Sequence, residues 1–285
     1  MIITPVTAKD PSFPAALSAI PDPPKTLYVL GNLSAALAAP CLAVVGSRKV
    51  TPYGRAVTTK LVEEVAGKGV SIISGLALGV DALAHQAALT VGGVTVAVLP
   101  CGLDTPYPAT HRQLARQIIK QGGALISEYP EGTPPLQHHF IARNRLVSGL
   151  SHGVLITEAA EKSGTLHTAN FALEQGKAVM AVPGNITSLY SAGTNMLIKT
   201  GAAPITKADD ILQELGVTSG QQQLAVLGAN QQEATILELL EQGITEGSEL
   251  QLISRLDPAS FNQTLTMLEI TGKIRPTGAG HWTIS

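Results

Sequence analysis

Short apolar runs alternate with segments of helical periodicity through the middle of the chain. The runs have the length of buried strands, and they are Leu42–Val45, Val70–Ser74, Val94–Leu99, Ala124–Ser127, Gly153–Thr157 and Ala178–Val182. The segments between them have helical spacing, at Pro52–Lys68, Gly79–Val91, Ala109–Gln121, Ile141–Leu150, Thr165–Gln175 and Thr194–Thr200. This alternation predicts an α/β fold, in which a mostly parallel sheet is covered by helices on both faces.

The two ends of the chain depart from this pattern. Residues 1–38 are rich in proline, which excludes a long helix. We predict an irregular arm there, with one short strand at Leu27–Leu30, packed on a main domain of residues 39–215. Gly, Gln and Ser are frequent in residues 216–230, which predicts a linker to a small domain of residues 231–285.

The small domain has the pattern of three helices followed by a hairpin, which predicts a winged helix. The first predicted helix is Ala234–Gln242, the second is capped by Ser248 and ends at Leu256, and the third is Pro258–Thr271. The predicted strands of the hairpin are Lys273–Arg275 and His281–Ile284. The third helix contains no lysine or arginine, although DNA-reading helices normally present such groups. We therefore favour a protein-contact or auxiliary role for this domain.

Small residues, hydroxyls and an arginine recur where the predicted strands end. Ligands of parallel sheets bind beyond the carboxyl ends of the strands, so these residues mark a candidate site. Free backbone N–H groups at the start of the helix that begins at Thr165 favour an anion. Arg48 would add a cation, and a surface salt bridge is the competing interpretation for it. The residues concerned are Gly46, Ser47, Arg48, Lys162, Ser163, Gly164 and Thr165.

A second group of candidate ligands, Phe140, Arg143, Asn144 and Arg145, precedes the strand at Gly153. Arginine offers forked donors for phosphate, while a solvated helix start is the competing interpretation. Residues two apart on a helix do not share a face. We therefore predict that one arginine reaches a ligand and the other pairs with a carboxylate such as Glu158. Phe140 fits either a stacked base or a core position.

Composition places the protein among globular proteins and limits how it can bind nucleic acid. The 285 residues are 45% hydrophobic and 14% charged, with a net charge of −2, so nucleic acid has to be held by a local basic patch. No apolar run approaches the ~20 residues of a membrane helix, and the first residues lack the layout of a secretory signal. Cys41 and Cys101 are expected to be buried reduced thiols, so we expect a cytoplasmic protein away from the membrane.

Motifs of several enzyme classes are missing. The sequence has neither GxGxxG nor GxxxxGK[ST], which gives no support to a dehydrogenase or an NTPase. His138 and His139 have no spaced partners, so we expect no metal site. Asp81 and His85 are four residues apart on one face of a predicted helix. This spacing could orient a catalytic histidine, and a structural pair is the interpretation that we favour. We also expect no cofactor and no catalytic residues.

Several ordered motifs resemble the DNA-processing protein family DprA, also called Smf. The resemblance covers roughly residues 25–285 and includes VGSRKVTPYG (45–54), SGLALGVDALAH (74–85), ARNRLVSGLSHGVLITEA (142–159) and SGTLHTANFALEQGKAVMAVPG (163–184). It implies an extended Rossmann-like domain that binds single-stranded DNA and forms a homodimer. It also implies a non-enzymatic role, in which the protein protects incoming DNA and loads the RecA recombinase onto it during natural transformation.

The resemblance also implies a set of DNA-binding residues. The arginine of the family's GSR motif, here Arg48, lies in the DNA pocket, and the turn Ser163–Thr165 with Thr168 lies on the same edge. Phe140 and the segment Arg143–Arg145 are carried over with them. The sequence departs from the family at Leu78, where a basic residue is usual, and at Ile141, where proline is usual. We expect the first departure to remove a phosphate contact and the second to change the loop before Arg143.

A nucleotide-sensing or nucleotide-hydrolysing protein is the alternative function. Related Rossmann-like sheets that cleave nucleoside monophosphates carry a PGGxGT turn. The corresponding turn here is Pro183-Gly184-Asn185, which lacks the second glycine. This difference favours the DNA-binding interpretation.

Overall fold

Nine strands of the computed structural model, which describes residues 2–217, 231–278 and 280–284, form one sheet. They are β1 (Thr4–Thr7), β2 (Thr26–Gly31), β3 (Cys41–Val45), β4 (Ser71–Ser74), β5 (Thr95–Val98), β6 (Ala124–Ser127), β7 (Gly153–Ile156), β8 (Ala178–Ala181) and β9 (Ala203–Pro204). Their order is β1-β2-β6-β5-β4-β3-β7-β8-β9. In this spatial order, all neighbouring strands from β6 through β5, β4, β3, β7 and β8 to β9 are parallel. Strand β2 runs antiparallel to both of its neighbours, β1 and β6.

The helices of this part of the chain largely follow the predicted segments. They are α1 (Ala15–Ser18), α2 (Leu33–Ala36), α3 (Pro52–Gly67), α4 (Val80–Thr90), α5 (Arg112–Lys120), α6 (Gln137–Gly149), α7 (Thr165–Glu174), α8 (Ala192–Lys199) and α9 (Ala208–Glu214). The largest difference is α6, which begins at Gln137 and not at Ile141. Its N-cap residue, Leu136, makes no side-chain cap, so the usual sequence signal for a helix start is missing.

Helices cover both faces of the sheet, as predicted. Strand β3 shows the reason, because successive side chains of a strand point to opposite faces. Leu42 and Val44 belong to one buried apolar core, and Ala43 and Val45 belong to another. Because helices occupy both faces, a ligand site is expected at the edge where the parallel strands end.

The N-terminal arm is more regular than predicted. We expected one strand in residues 1–38, whereas the structure has two, β1 and β2, together with the short helices α1 and α2. Residues Leu17 and Leu27 of this segment are fully buried and share a core with Ile126 and Leu146. Antiparallel pairing with β6 lets the arm extend the sheet, which a proline-rich composition does not indicate.

The described part of the chain divides into two units, Met1–Thr218 and Ser219–Ser285. The predicted linker, residues 216–230, falls mostly on residues 218–230, which lie outside the described residues. The predicted domain boundaries therefore remain a prediction. Within residues 2–217, 231–278 and 280–284, no helix combines the length and apolar character that a membrane span requires.

The described residues of the second unit, 231–278 and 280–284, form three helices followed by an antiparallel hairpin, the order predicted for a winged helix. The elements are α10 (Gln231–Glu241), α11 (Gly247–Ser254), α12 (Pro258–Ile270), β10 (Ile274–Gly278) and β11 (His281–Ile284). Leu240, Leu250 and Leu268 belong to its own core. The prediction that Ser248 caps α11 is wrong, because the Glu246 carboxylate accepts the backbone N–H groups of Ser248 and Glu249.

The predicted pairing of Asp81 with His85 is also wrong, because each side chain has other partners. The Asp81 carboxylate accepts the backbone N–H of Gly75 at 3.1 Å, while His85 Nδ1 lies 2.6 Å from the Thr95 hydroxyl. The Thr95 hydroxyl proton is donated to the Ile72 carbonyl, so His85 Nδ1 carries the proton in its bond to Thr95. Burial lowers the pKa of His85 from 6.5 to about 3, which keeps the ring neutral.

Replacement of Leu27 tests whether the arm is part of the core. We expect Leu27→Ala to lower the free energy of unfolding by about 2–5 kcal/mol, because the side chain is fully buried. Ile2→Ala is the matched control, since Ile2 is 87% exposed and should change stability by less than about 0.5 kcal/mol. Urea denaturation measures both. Equal, small effects of the two changes would show that the arm does not contribute to the folded core.

The buried neutral state of His85 predicts a pH dependence of stability. Below pH 6.5 the unfolded chain binds a proton at His85 that the folded protein excludes down to about pH 3. Stability should therefore fall with decreasing pH in this window, by up to about 1.4 kcal/mol per pH unit from this group. His85→Asn, whose amide can still donate to Thr95, should have a shallower slope between pH 6 and 4 in urea denaturation. A slope identical to that of the unmodified protein would contradict the assignment.

Candidate functional site

A cavity of about 750 Å³ lies at the carboxyl edge of the sheet, where the predicted site residues were expected. Its walls come from the segment after β3, the start of α6 and the turn that precedes α7. Most of the predicted residues line it, namely Gly46, Ser47, Arg48, Phe140, Arg143, Asn144, Ser163, Gly164, Thr165 and Thr168. Two predicted residues, Lys162 and Arg145, are not among the described residues that line it.

Arg48 is an exposed cation beside an aromatic ring. Its guanidinium carbon lies 5.1 Å from the centroid of the Phe140 ring, within the range of a cation–π contact. Phe140 in turn meets Tyr107 edge to face, with ring centroids 5.6 Å apart. No carboxylate of the described residues forms a salt bridge with Arg48. Arg48 therefore has no carboxylate partner in the described part of the chain, which removes support from the competing interpretation as a surface salt bridge.

The loop that carries Arg48 is held by close backbone contacts. The Ser47 N–H donates to the Glu158 carbonyl at 2.8 Å, and the Ser47 carbonyl accepts the Val80 N–H at 3.1 Å. A Cβ atom at Gly46 would lie 2.7 Å from the Val80 side chain and 2.8 Å from the Glu158 carbonyl oxygen. Glycine is therefore needed at position 46 for the packing of β3 against α4 and β7, independently of any ligand.

The turn before α7 is tied to the same loop through hydroxyl groups. The Thr165 hydroxyl donates to the Gly46 carbonyl at 3.0 Å, and the Ser163 hydroxyl donates to the Thr165 hydroxyl at 3.0 Å. Gly164 is the N-cap residue of α7 and provides no side-chain cap. The positive end of the α7 dipole therefore adjoins the wall that also carries Arg48, which favours a negatively charged ligand.

Arg143 forms the floor of the cavity and is only 4% exposed. One of its terminal nitrogens donates to the carbonyl oxygens of Gly75, at 2.6 Å, and of Val98, so it joins the ends of β4 and β5. Burial lowers the pKa of Arg143, and the charge of nearby Asp81 opposes this shift. Burial likewise raises the pKa of Asp81, against the opposing charge of Arg143. The hydrogen bonds of Arg143 are thus made to the ends of β4 and β5. A contact between Arg143 and DNA stays a prediction.

Arg145 points away from the cavity, in agreement with the rule that residues two apart on a helix use different faces. Its guanidinium donates to the two oxygens of Glu128 at 2.5 and 2.6 Å and to Asp22 at 2.8 Å. The prediction that Glu158 would be the partner of an arginine is wrong. Glu158 instead accepts the backbone N–H and the hydroxyl of Thr51, at 2.9 and 2.5 Å, at the start of α3. A DNA contact by Arg145 or Lys162 stays a prediction without support from this geometry.

Sequence reasoning missed several residues of the cavity. Asp81, Tyr107, His167 and Tyr190 line it, and each follows or faces a different strand end, so no single motif contains them. The signal that could have found Tyr107 is its place in the proline-flanked segment after β5. Ile141, one of the two departures from the family pattern, also lines the cavity and is 44% exposed.

The fold and the cavity define a Rossmann-like α/β protein with a cationic site at the carboxyl edge of its sheet. The family model described as DNA recombination-mediator protein A matches residues 4–216. The chain belongs to this family, which confirms the resemblance stated from the motifs. Within the described residues, no group of three or more His, Cys, Asp or Glu side chains that could hold a metal ion occurs.

Curated relatives agree with this assignment. Protein Smf of Escherichia coli (strain K12) is 48% identical over 210 residues, which are 74% of this chain and 56% of that protein. The DNA processing protein DprA of Bacillus subtilis (strain 168) is 41% identical over 211 residues, which are 74% of this chain and 70% of that protein. The match thus spans little more than half of the E. coli protein.

Two solved structures share the fold. DNA processing protein A of Streptococcus pneumoniae has a TM-score of 0.70 at 39% identity, over 74% of each chain. The protein of the same name from Helicobacter pylori has a TM-score of 0.66 at 36% identity, over 75% of this chain and 96% of that chain. The work on the H. pylori protein describes its single-stranded DNA binding mode.

The packing of Arg143 against Gly75 predicts a strong effect of a single methyl group. A Cβ atom at Gly75 would lie 2.5 Å from the guanidinium carbon of Arg143, so Gly75→Ala should displace it and lower stability by about 1–3 kcal/mol. Gly67→Ala, in the last turn of α3, meets no atom within 4 Å and should be neutral or stabilising by up to about 1 kcal/mol. Thermal or urea denaturation compares the two. A neutral Gly75→Ala variant would mean that Arg143 does not hold this position.

Proposed function

We propose that the protein binds single-stranded DNA in the cavity at the carboxyl edge of its sheet. The observation that carries the proposal is the Arg48 guanidinium over the Phe140 ring, beside the N-terminus of α7. This combination offers one cation and a helix dipole to a phosphate, and aromatic rings to a base. Stacking on an aromatic side chain contributes about 1–3 kcal/mol per base and tolerates any sequence. The single-stranded DNA binding mode of the H. pylori relative supports the proposal.

The charge distribution suits a short bound segment and not a wrapped duplex. The protein has a net charge of −2, so binding depends on the few cations at the cavity, such as Arg48 and Lys49, which are both exposed. When few phosphates are neutralised, affinity depends only weakly on salt. For a single strand, each neutralised phosphate contributes about −0.7 to the slope of log K against the logarithm of the salt concentration. The cavity volume of about 750 Å³ fits one or two nucleotides better than a duplex.

The wider role that we propose follows the family resemblance. The protein would protect incoming single strands and load the RecA recombinase onto them, acting as a homodimer in the cytoplasm without catalysing a reaction itself. The name of the family, a recombination mediator, supports this role. The cavity contributes to it by holding the strand through phosphates and stacked bases, contacts that carry little sequence preference.

Charge reversal at Arg48 tests the site directly. We expect Arg48→Glu to weaken binding of a labelled oligo-dT by at least about tenfold, or about 1.4 kcal/mol, because a cation beside the bound phosphate is replaced by an anion. The salt slope should also become shallower. Fluorescence anisotropy over a salt series measures both quantities, with circular dichroism to show that the variant is folded.

Arg55→Glu provides the matched control. Arg55 is an exposed arginine in the first turn of α3 and is not among the residues that line the cavity, so the same charge change should alter affinity by less than about threefold. Equal losses in the two variants would indicate a diffuse electrostatic effect. Unchanged binding by a folded Arg48→Glu protein would contradict the proposed site.

A further inference from the structure

A second cavity, of about 490 Å³, lies at the same edge of the sheet and has no assigned role. Thr51 and Tyr53 at the start of α3 form one side, Glu158 after β7 forms the base, and the segment Gly184–Ser191 after β8 forms the other side. Its volume is within the range of small-molecule sites, which are commonly about 300–1,000 Å³. It is large enough for a nucleobase.

The two cavities share their dividing walls. Residues Gly46–Lys49 line the first cavity, and Thr51 of the same loop lines the second. In the segment after β8, Tyr190 lines the first cavity, whereas Ser188 and Ser191 line the second. A strand whose phosphate is held at Arg48 therefore has the second cavity within reach of an adjacent nucleotide.

The second cavity has the opposite electrostatic character to the first. Glu158 provides a carboxylate that is 2% exposed, and no lysine or arginine is among the described residues that line this cavity. Each Glu158 oxygen accepts one hydrogen bond from Thr51, and a carboxylate oxygen can accept a second. Such a site repels phosphate and favours a ligand with N–H donors.

The position of the carboxylate is built into the fold. A Cβ atom at Gly54 would lie 2.6 Å from one Glu158 oxygen, so glycine at this position makes room for the carboxylate beside the first turn of α3. The Tyr53 hydroxyl donates to the Pro183 carbonyl at 2.7 Å, which fixes an aromatic ring that is about half exposed at the mouth of the cavity. A buried acceptor and a fixed aromatic ring together form the contacts that a nucleobase requires.

We propose that the second cavity binds a nucleobase that carries an exocyclic amine. The amine donates a hydrogen bond to the Glu158 carboxylate, and the Tyr53 ring contacts the base. This inference rests on the proposed binding of single-stranded DNA and adds a base preference to it. Carboxylates accept the N4 amine of cytosine in other recognition sites. Thymine has no such amine, and its one free donor, N3–H, lies between two carbonyl oxygens that the carboxylate repels. The protein should therefore prefer strands that contain amine-bearing bases over oligo-dT.

The first arm of the test compares oligo-dC with oligo-dT of equal length by anisotropy. We expect at least about fivefold tighter binding of oligo-dC, because a hydrogen bond to a charged group is gained. Ser188→Phe, which fills the second cavity, should remove this preference and leave oligo-dT affinity unchanged. Ile186→Phe is the matched control in the same segment, since Ile186 is 93% exposed and does not line the cavity, and it should keep the preference.

The second arm uses free nucleosides and does not depend on strand binding. Saturation-transfer NMR should detect deoxycytidine but not thymidine at millimolar concentration, and Ser188→Phe should abolish the deoxycytidine signal. Equal affinities of the unmodified protein for oligo-dC and oligo-dT would overturn the inference and leave the proposed function standing. Failure of both oligonucleotides to bind would overturn the proposed function. The nucleoside signals would then decide the inference about the second cavity. A deoxycytidine signal that is lost in Ser188→Phe would support this inference, and any other pattern would overturn it.

Discussion

A buried guanidinium joins the carboxyl ends of the central strands, and the site is built on it. Arg143 donates to the carbonyl oxygens of Gly75 and Val98, and Asp81 lies close enough to offset its charge. Burying an unpaired cation costs several kcal/mol, and these partners offset that cost in the folded sheet edge. Because Gly75 has no side chain, the guanidinium can occupy the space over the end of β4. The floor of the main cavity is thus set by an interaction that involves no ligand.

The arginines in and near the site differ in their partners. Arg143 and Arg145 are buried and donate to carbonyl or carboxylate oxygens, whereas Arg48 is exposed. Arg145 is held by Glu128 and Asp22, which connects α6 to the end of β6 and to the N-terminal arm. Arg48 has no such partner among the described residues and remains available for a phosphate. The same separation explains how a protein with a net charge of −2 can present a local cationic site, while Glu158 makes the adjacent cavity anionic.

Much of the fold and part of the site could be predicted from the sequence. Each buried strand from β3 to β8 is predicted by its apolar run. The residues at the strand ends are predicted to line a site because ligands of parallel sheets bind at that edge, and most of them line the main cavity. The start of α6 was placed four residues late because Leu136 gives no capping signal. Strand β1 was missed because the proline-rich arm obtains its regularity from pairing with β2, and not from local propensity.

The sequence by itself determined the alternation of strands and helices, the edge of the sheet at which the main cavity lies, and the family. Periodicity and motifs are local, and they are sufficient for these conclusions. Only the tertiary structure decided which arginine is buried and which is exposed, and that a second cavity of opposite charge lies beside the first. The partners of Arg143 are 68 and 45 residues away along the chain, and Thr51 and Glu158 are 107 apart. Such contacts depend on the order of the strands in the sheet, which hydrophobic periodicity does not specify.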